Sequence, residues 1–152
     1  FSTLHTNDAP SSITRLQNMG TPNFLISAAI SLIMGQRLAR KTCTECRIPD
    51  ENITPKLLNS IGFLPEQSAR AKIYRGKGCE NCTNGYKGRM GIYEILPIEQ
   101  ELKAAILSGL QQIELIAIAK KNGFRTMQNM GQDLLLTGDL SYAEYERVLQ
   151  SN

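Results

Sequence analysis

A chain of 152 residues with 41% hydrophobic and 20% charged residues is globular in composition, neither disordered nor membrane-spanning. It can hold one ordinary domain or two small ones, and with no Trp and only 6% aromatics its cores must be aliphatic. The formal charge of +3 falls to about +1 if the four cysteines hold one divalent ion as thiolates, so the total charge gives little drive toward nucleic acid.

The first stretch, Phe1-Ser2-Thr3-Leu4-His5-Thr6, reads as the end of a buried strand running into a loop. With no Met at its start, the chain is expected to be a piece of a longer protein. His5, the only histidine, would sit where that strand ends and a helix begins, the place where open α/β sheets bind ligands. Neutral imidazole there can donate to a phosphate oxygen or orient a water. The plainer alternative is a local hydrogen bond at the head of the helix.

Asp8 is placed to cap a helix over residues 9–19, with Ile13, Leu16 and Met19 at helical spacing and Gly20 ending it. Thr21 and Pro22 restart the chain as N-cap and first helical residue. Residues 24–34 are apolar nearly all round. They predict a buried core helix about 16 Å long, too short to cross a bilayer, with Gly35 as its stop. Residues 36–42 then predict a strand that delivers Cys43.

Cys43-Thr44-Glu45-Cys46 and Cys79-Glu80-Asn81-Cys82 use all four cysteines. Each C-x-x-C turn folds two thiolates toward one point, and two turns supply the four corners that Zn2+ accepts in a structural site. A disulfide pair and a redox couple are the alternatives. Disulfides belong to oxidising compartments, and a redox site needs one couple, not two. The 32 residues between Cys46 and Cys79 exceed the roughly 15–20 of a compact zinc ribbon, so the metal is expected to pin the base of an inserted subdomain.

Inside that insertion, residues 54–62 suit a short helix behind Thr54-Pro55, and residues 72–75 a strand. Five glycines between Gly76 and Gly91 suit knuckle turns. Residues 91–96 alternate and end at Pro97, which reads as a strand. Helices are expected over 99–108, 111–121, 127–137 and 141–150, with Ser141-Tyr142-Ala143-Glu144 as a capping box. Met127, Met130 and Leu134 form a helical stripe suited to a bundle core. Positive charge gathers around the cysteines, as Arg37, Arg40, Lys41 and Arg47, and again as Arg70, Lys72, Arg75, Lys77, Lys87 and Arg89. It either offsets the thiolates or faces an acidic partner.

Taken together, these motifs resemble the C-terminal part of the secretion ATPases that drive type II secretion and type IV pilus assembly. Ser2-Thr3-Leu4-His5-Thr6-Asn7-Asp8-Ala9 is similar to that family's His box, and Arg15-Leu16 with Met19-Gly20 to the helix after it. Gln36-Arg37-Leu38 leads into the first cysteine couple as the family does. Gly85-Tyr86-Lys87-Gly88-Arg89-Met90-Gly91-Ile92-Tyr93-Glu94 resembles the segment after the second couple, and Thr137-Gly138-Asp139-Leu140-Ser141 the turn before the final helix. Residues 100–135 match only in helical character.

The resemblance implies an α/β fold: the C-terminal part of a RecA-like core, over residues 1–42 and 88–97, with a tetracysteine zinc insertion over 43–87 and a C-terminal helical bundle over 98–152. It implies a motor, usually hexameric, at the cytoplasmic face of the inner membrane, docking on a membrane platform or its cytoplasmic partners. His5 would be the His-box histidine near the γ-phosphate. Arg89, between glycines that let its backbone approach a neighbour, would face nucleotide or a subunit interface, or else solvent. No G-x-x-x-x-G-K-[ST] loop occurs and the Asp box is missing, so ATP and Mg2+ would bind only in the parent protein and this piece alone would not hydrolyse ATP. The rival reading is a non-enzymatic zinc-ribbon module that binds protein or nucleic acid through residues 70–89. Few aromatics stand ready for base stacking there, Tyr74 and Tyr86 at best.

Overall fold

Asp8 sets the first helix. Its carboxylate accepts from the Ser11 N–H at 2.7 Å, and α1 runs over Ala9–Asn18 with Pro10 in the first turn, where no N–H is missed. Gly20, at φ +83, lets the chain leave that helix. These coordinates are a computed structural model, and it describes residues 2–150. Residues 2–6 form no strand. The strand expected there has no neighbour to pair with among the described residues, and a strand is defined by its ladder.

The apolar run after Pro22 departs from expectation. Helix α2 covers only Asn23–Ala29, with Pro22 instead of Thr21 at its N-cap position and no side-chain cap, and Ile30 turns extended at φ −94 and ψ 124. Strand β1 then occupies Leu32–Thr42. The run is not sheathed in core either: Phe24 is 59% exposed and Met34 55%. From Leu32 onward side chains alternate outward and inward as a strand requires. Gly35 lies inside β1 and does not end a helix, because the side chain of Glu94 packs where its Cβ would be.

Strand β1 pairs with β4, Tyr86–Pro97. Ile98 N donates to Ser31 O at 2.9 Å beyond one end, and Cys43 N to Gly85 O at 2.8 Å beyond the other, so the two run antiparallel. The chain divides into two compact units, Phe1–Gln36 with Tyr93–Met127, and Arg37–Ile92 with Gln128–Asn152. Both strands pass from one to the other.

In the first unit, α5 (Gln100–Leu107) packs on α2 and on α6 (Gln112–Lys121), which also meets α1. Ile13, Ile26, Leu96, Ile98, Leu102, Ile106 and Leu115 close an aliphatic core, each 3% exposed or less.

In the second unit, β2 (Arg47–Pro49) pairs antiparallel with β3 (Tyr74–Gly76), Arg47 opposite Gly76 and Ile48 opposite Arg75. Between them lie α3 (Pro55–Ser60), capped by Thr54, and α4 (Pro65–Arg70), and the two helices pack together. Neither β2 nor α4 was legible, being short and without a sustained pattern. Helix α7 (Met127–Thr137) starts at the last residue of the first unit, and its remainder belongs to the second. Helix α8 (Tyr142–Tyr145) continues as a π-helical turn over Glu146–Gln150. The capping box is half formed: Ser141 Oγ accepts from Glu144 N at 3.3 Å, but the Glu144 carboxylate turns to Arg40 and Arg147. Met127, Gly131 and Leu135 of α7 are buried, while Met130 and Leu134 of the expected stripe are half-buried. The helices after Pro97 thus divide, α5 and α6 in the first unit, α8 and nearly all of α7 in the second. No described helix is long and apolar enough to cross a membrane.

Candidate metal centre and polar recesses

Strand β1 delivers Cys43, and Cys46 falls immediately before β2. Cys79 and Cys82 come from the turn between β3 and β4. The sulfurs of all four lie within 4.8 Å of one another. Cys43 and Cys79 Sγ are 3.9 Å apart, Cys46 and Cys82 3.8 Å, and Cys79 and Cys82 3.5 Å. A tetrahedron with zinc–sulfur bonds of about 2.3 Å has edges of about 3.8 Å, so the spacing fits a four-sulfur metal ion. A disulfide needs about 2.05 Å, and all four thiols are free.

Electrostatics point the same way. Burial opposes ionisation of Cys82, but N–H groups of Cys79 and Gly85 and the Cys79 and Cys46 thiols outweigh it and bring it down to about 7. The Asn81 N–H favours the Cys79 thiolate, yet the neighbouring thiols and burial push Cys79 up to about 12. Four sulfurs this close cannot all ionise alone, and a divalent cation would supply the missing charge. Gly78 N donates to Cys46 Sγ at 3.3 Å and Cys79 N to Cys82 Sγ at 3.2 Å, the outer support that metal ligands use. Glu45 braces the two turns, accepting from Lys87 Nζ at 2.6 Å and Asn81 Nδ2 at 2.7 Å.

His5 is exposed and lines a recess of about 270 Å³ with Thr6, Ser11, Thr14, Arg15 and Gln112. Thr6 Oγ1 and Ser12 Oγ lie 2.8 Å apart, and Gln112 Nε2 donates to Ser11 Oγ at 3.2 Å. This is a polar, hydroxyl-lined surface with one cation, suited to an anion. Arg89 is exposed on β4 and lines a separate recess of about 440 Å³ with Leu38, Ala39, Arg40 and Arg147. Within the second unit Arg89 lines its own recess, apart from the sulfurs. His5 lies in the first unit, Arg89 and the cysteines in the second.

The family model described as type II/IV secretion system protein matches residues 1–147. The chain belongs to this family. It is 40% identical over 148 residues to a type IV pilus assembly ATPase of Pseudomonas aeruginosa, covering 97% of this chain and 26% of that protein. It is 38% identical over 150 residues to one of Acinetobacter baylyi, covering 97% and 26%. It is 34% identical over 149 residues to a putative type II secretion system protein E of Escherichia coli, covering 97% and 29%. The chain therefore spans about a quarter of the length of these secretion-family relatives.

Two buried carboxylates of this family member escaped the sequence reading. Glu94 is 2% exposed and Glu144 is fully buried. Glu94 carried a signal: it stands between Ile92 and Leu96 at an inward position of an alternating strand, where a carboxylate must find partners. Glu144 carried none, since its partners Arg40 and Arg147 are set by long-range packing.

Proposed function

We propose that this chain is the C-terminal portion of a hexameric motor ATPase that powers type IV pilus assembly or type II secretion. The support is the match along nearly the whole chain to proteins named as pilus assembly ATPases. In this reading a RecA-like core is completed by residues outside these 152, which supply the phosphate-cradling loop and the Mg2+ site. His5 faces the γ-phosphate. Arg89 faces a phosphate or a neighbouring subunit, and the basic flank of the cysteine turns meets an acidic surface on a neighbouring subunit or on the platform at the inner membrane. The metal is zinc. Four sulfurs fill its coordination and leave no place for a reactive water, so its role is structural.

A free nucleic-acid module fits less well. Tyr86 lies under the Arg40 guanidinium at 4.1 Å and its hydroxyl is 2.9 Å from Ser141 Oγ, while Tyr74 lies under Arg47 at 5.3 Å. Both candidate stacking rings are already engaged.

The test is His5→Ala in the full-length protein, with turnover, nucleotide affinity and melting temperature measured on one preparation. A phosphate-facing histidine acts mainly in the transition state, so turnover should fall by roughly 10²–10⁴ with affinity and melting temperature nearly unchanged. Normal turnover with a lowered melting temperature would make His5 a packing residue.

A further inference from the structure

Glu94 ties the start of α1, directly after the His5 loop, to two other elements of the same unit. Gln112 Nε2 also reaches Ser11 Oγ from α6, while two further bonds near the loop are local. Asp8 caps its own helix and Thr6 meets Ser12. By contrast Ala9 N, the first N–H of α1, donates to Glu94 Oε1 on β4, and Met127 N, the first N–H of α7, donates to Glu94 Oε2 at 3.0 Å. The first N–H groups of a helix have no partner within it, so each oxygen of this carboxylate satisfies a donor that the helix leaves open. The negative charge also sits where the positive end of each helix dipole falls. An ionised carboxylate accepts at full strength on both oxygens.

Gly35 completes the arrangement. A Cβ there would stand 2.8 Å from Glu94 Cγ and 2.9 Å from Oε1. Its backbone is not left-handed, so what crowds out a side chain at this position is the Glu94 side chain, with Met127 Cε beside it at 3.1 Å.

We infer that Glu94 is a positioning residue: with Gly35 leaving it room, its carboxylate fixes the start of α1 against β4 and so holds His5 where a phosphate meets it. This rests on the reading of His5 as phosphate-facing. Glu94→Gln keeps the shape but offers one acceptor and turns an NH₂ toward a backbone N–H. Gly35→Ala leaves the carboxylate in place chemically and pushes it aside.

The experiment uses the full-length protein with His5→Ala, Glu94→Gln, Gly35→Ala and the double variant His5→Ala/Glu94→Gln. Turnover, KM for ATP and melting temperature are measured on each, with amide exchange at Ala9. Glu94→Gln and Gly35→Ala should each expose the Ala9 amide to exchange and lower kcat by up to about 10²-fold with KM little changed, the loss a displacement of about 1 Å can cause. In the His5→Ala background Glu94→Gln should cost almost nothing further, because both act through one group. Multiplying losses, or unchanged turnover per folded molecule, would overturn the inference. So would failure of both single variants to fold, which would assign the carboxylate to stability alone. If His5→Ala turns over normally while Glu94→Gln does not, the His5 reading itself has failed, and a role for Glu94 through His5 falls with it.

Discussion

Glu144 has no exposed side-chain surface, yet it is held as a carboxylate. Arg40 donates to it from its backbone N–H at 2.7 Å and from Nε and Nη2 at 3.0 and 2.7 Å, and Arg147 Nε donates at 2.9 Å. Burial raises its pKa, but the hydrogen bonds from Arg147 and Arg40 outweigh that and hold it at about 2, against an ordinary 4.5. Because the folded value is depressed, the stability it contributes is fully present above pH 4.5 and is lost as pH falls toward 2. A shift of this size corresponds to about 3 kcal/mol at most, less after screening, since both arginines are half-exposed. Glu144→Gln should lose up to about 3 kcal/mol at neutral pH, because it removes the charge that the two guanidiniums and a backbone N–H share. Urea unfolding of both proteins from pH 7 to pH 2 is the check. The gap between them should be flat above pH 5 and close below 4.5, and a gap independent of pH would show that the carboxylate's charge contributes nothing.

Short-range signals are what made elements legible. Asp8, Thr54 and Ser141 each cap the helix they were expected to cap, since a cap is written within four residues, and the cysteine spacing located four sulfurs close enough to hold a metal ion. The run over residues 24–34 misled because a short apolar stretch suits a buried helix and a strand equally. The partner that decides for a strand, β4, arrives more than fifty residues later. The turns around the four cysteines depend on a contact between residues nine apart, which no local pattern announces. Gly76 and Gly85 pack backbone to backbone, so that a Cβ on Gly76 would come within 2.1 Å of Gly85 O, the oxygen that accepts from Cys43 N at 2.8 Å. Backbone cannot swing aside as a side chain can. Gly76→Ala should therefore displace the Gly85 carbonyl, loosen Cys43, and weaken metal binding by about 10-fold or more, on the scale of losing a supporting contact around a metal. Competition with a chromogenic chelator measures this. Wild-type affinity would mean that the β3 and β4 turns shift without disturbing the sulfurs.

At the scale of the whole molecule, both units bury apolar side chains, but only the second also gathers the four cysteines. The first closes a core of at least seven aliphatic side chains and contains none of the four cysteines. The second holds the four cysteines at the end of β1, just before β2 and in the turn between β3 and β4, and its insertion is built of two three-residue strands and two six-residue helices, elements too brief to be stable on propensity alone. Folding of the second unit should then be linked to metal binding, as in small metal-dependent domains, and its stability should rise with free metal by mass action, about 2.7 kcal/mol at a hundredfold excess over Kd. Protein purified without added metal should carry one ion per chain, and Cys79→Ala should carry little. After chelation, backbone amides over residues 37–92 should exchange rapidly while those of α5 and α6 keep their protection. Melting should then separate into two transitions, the earlier one returning to its place when zinc is restored. Retained protection over residues 37–92 in metal-free protein, or a disulfide among the four cysteines with less than a quarter-equivalent of metal bound, would show that the sulfurs do not hold a structural ion.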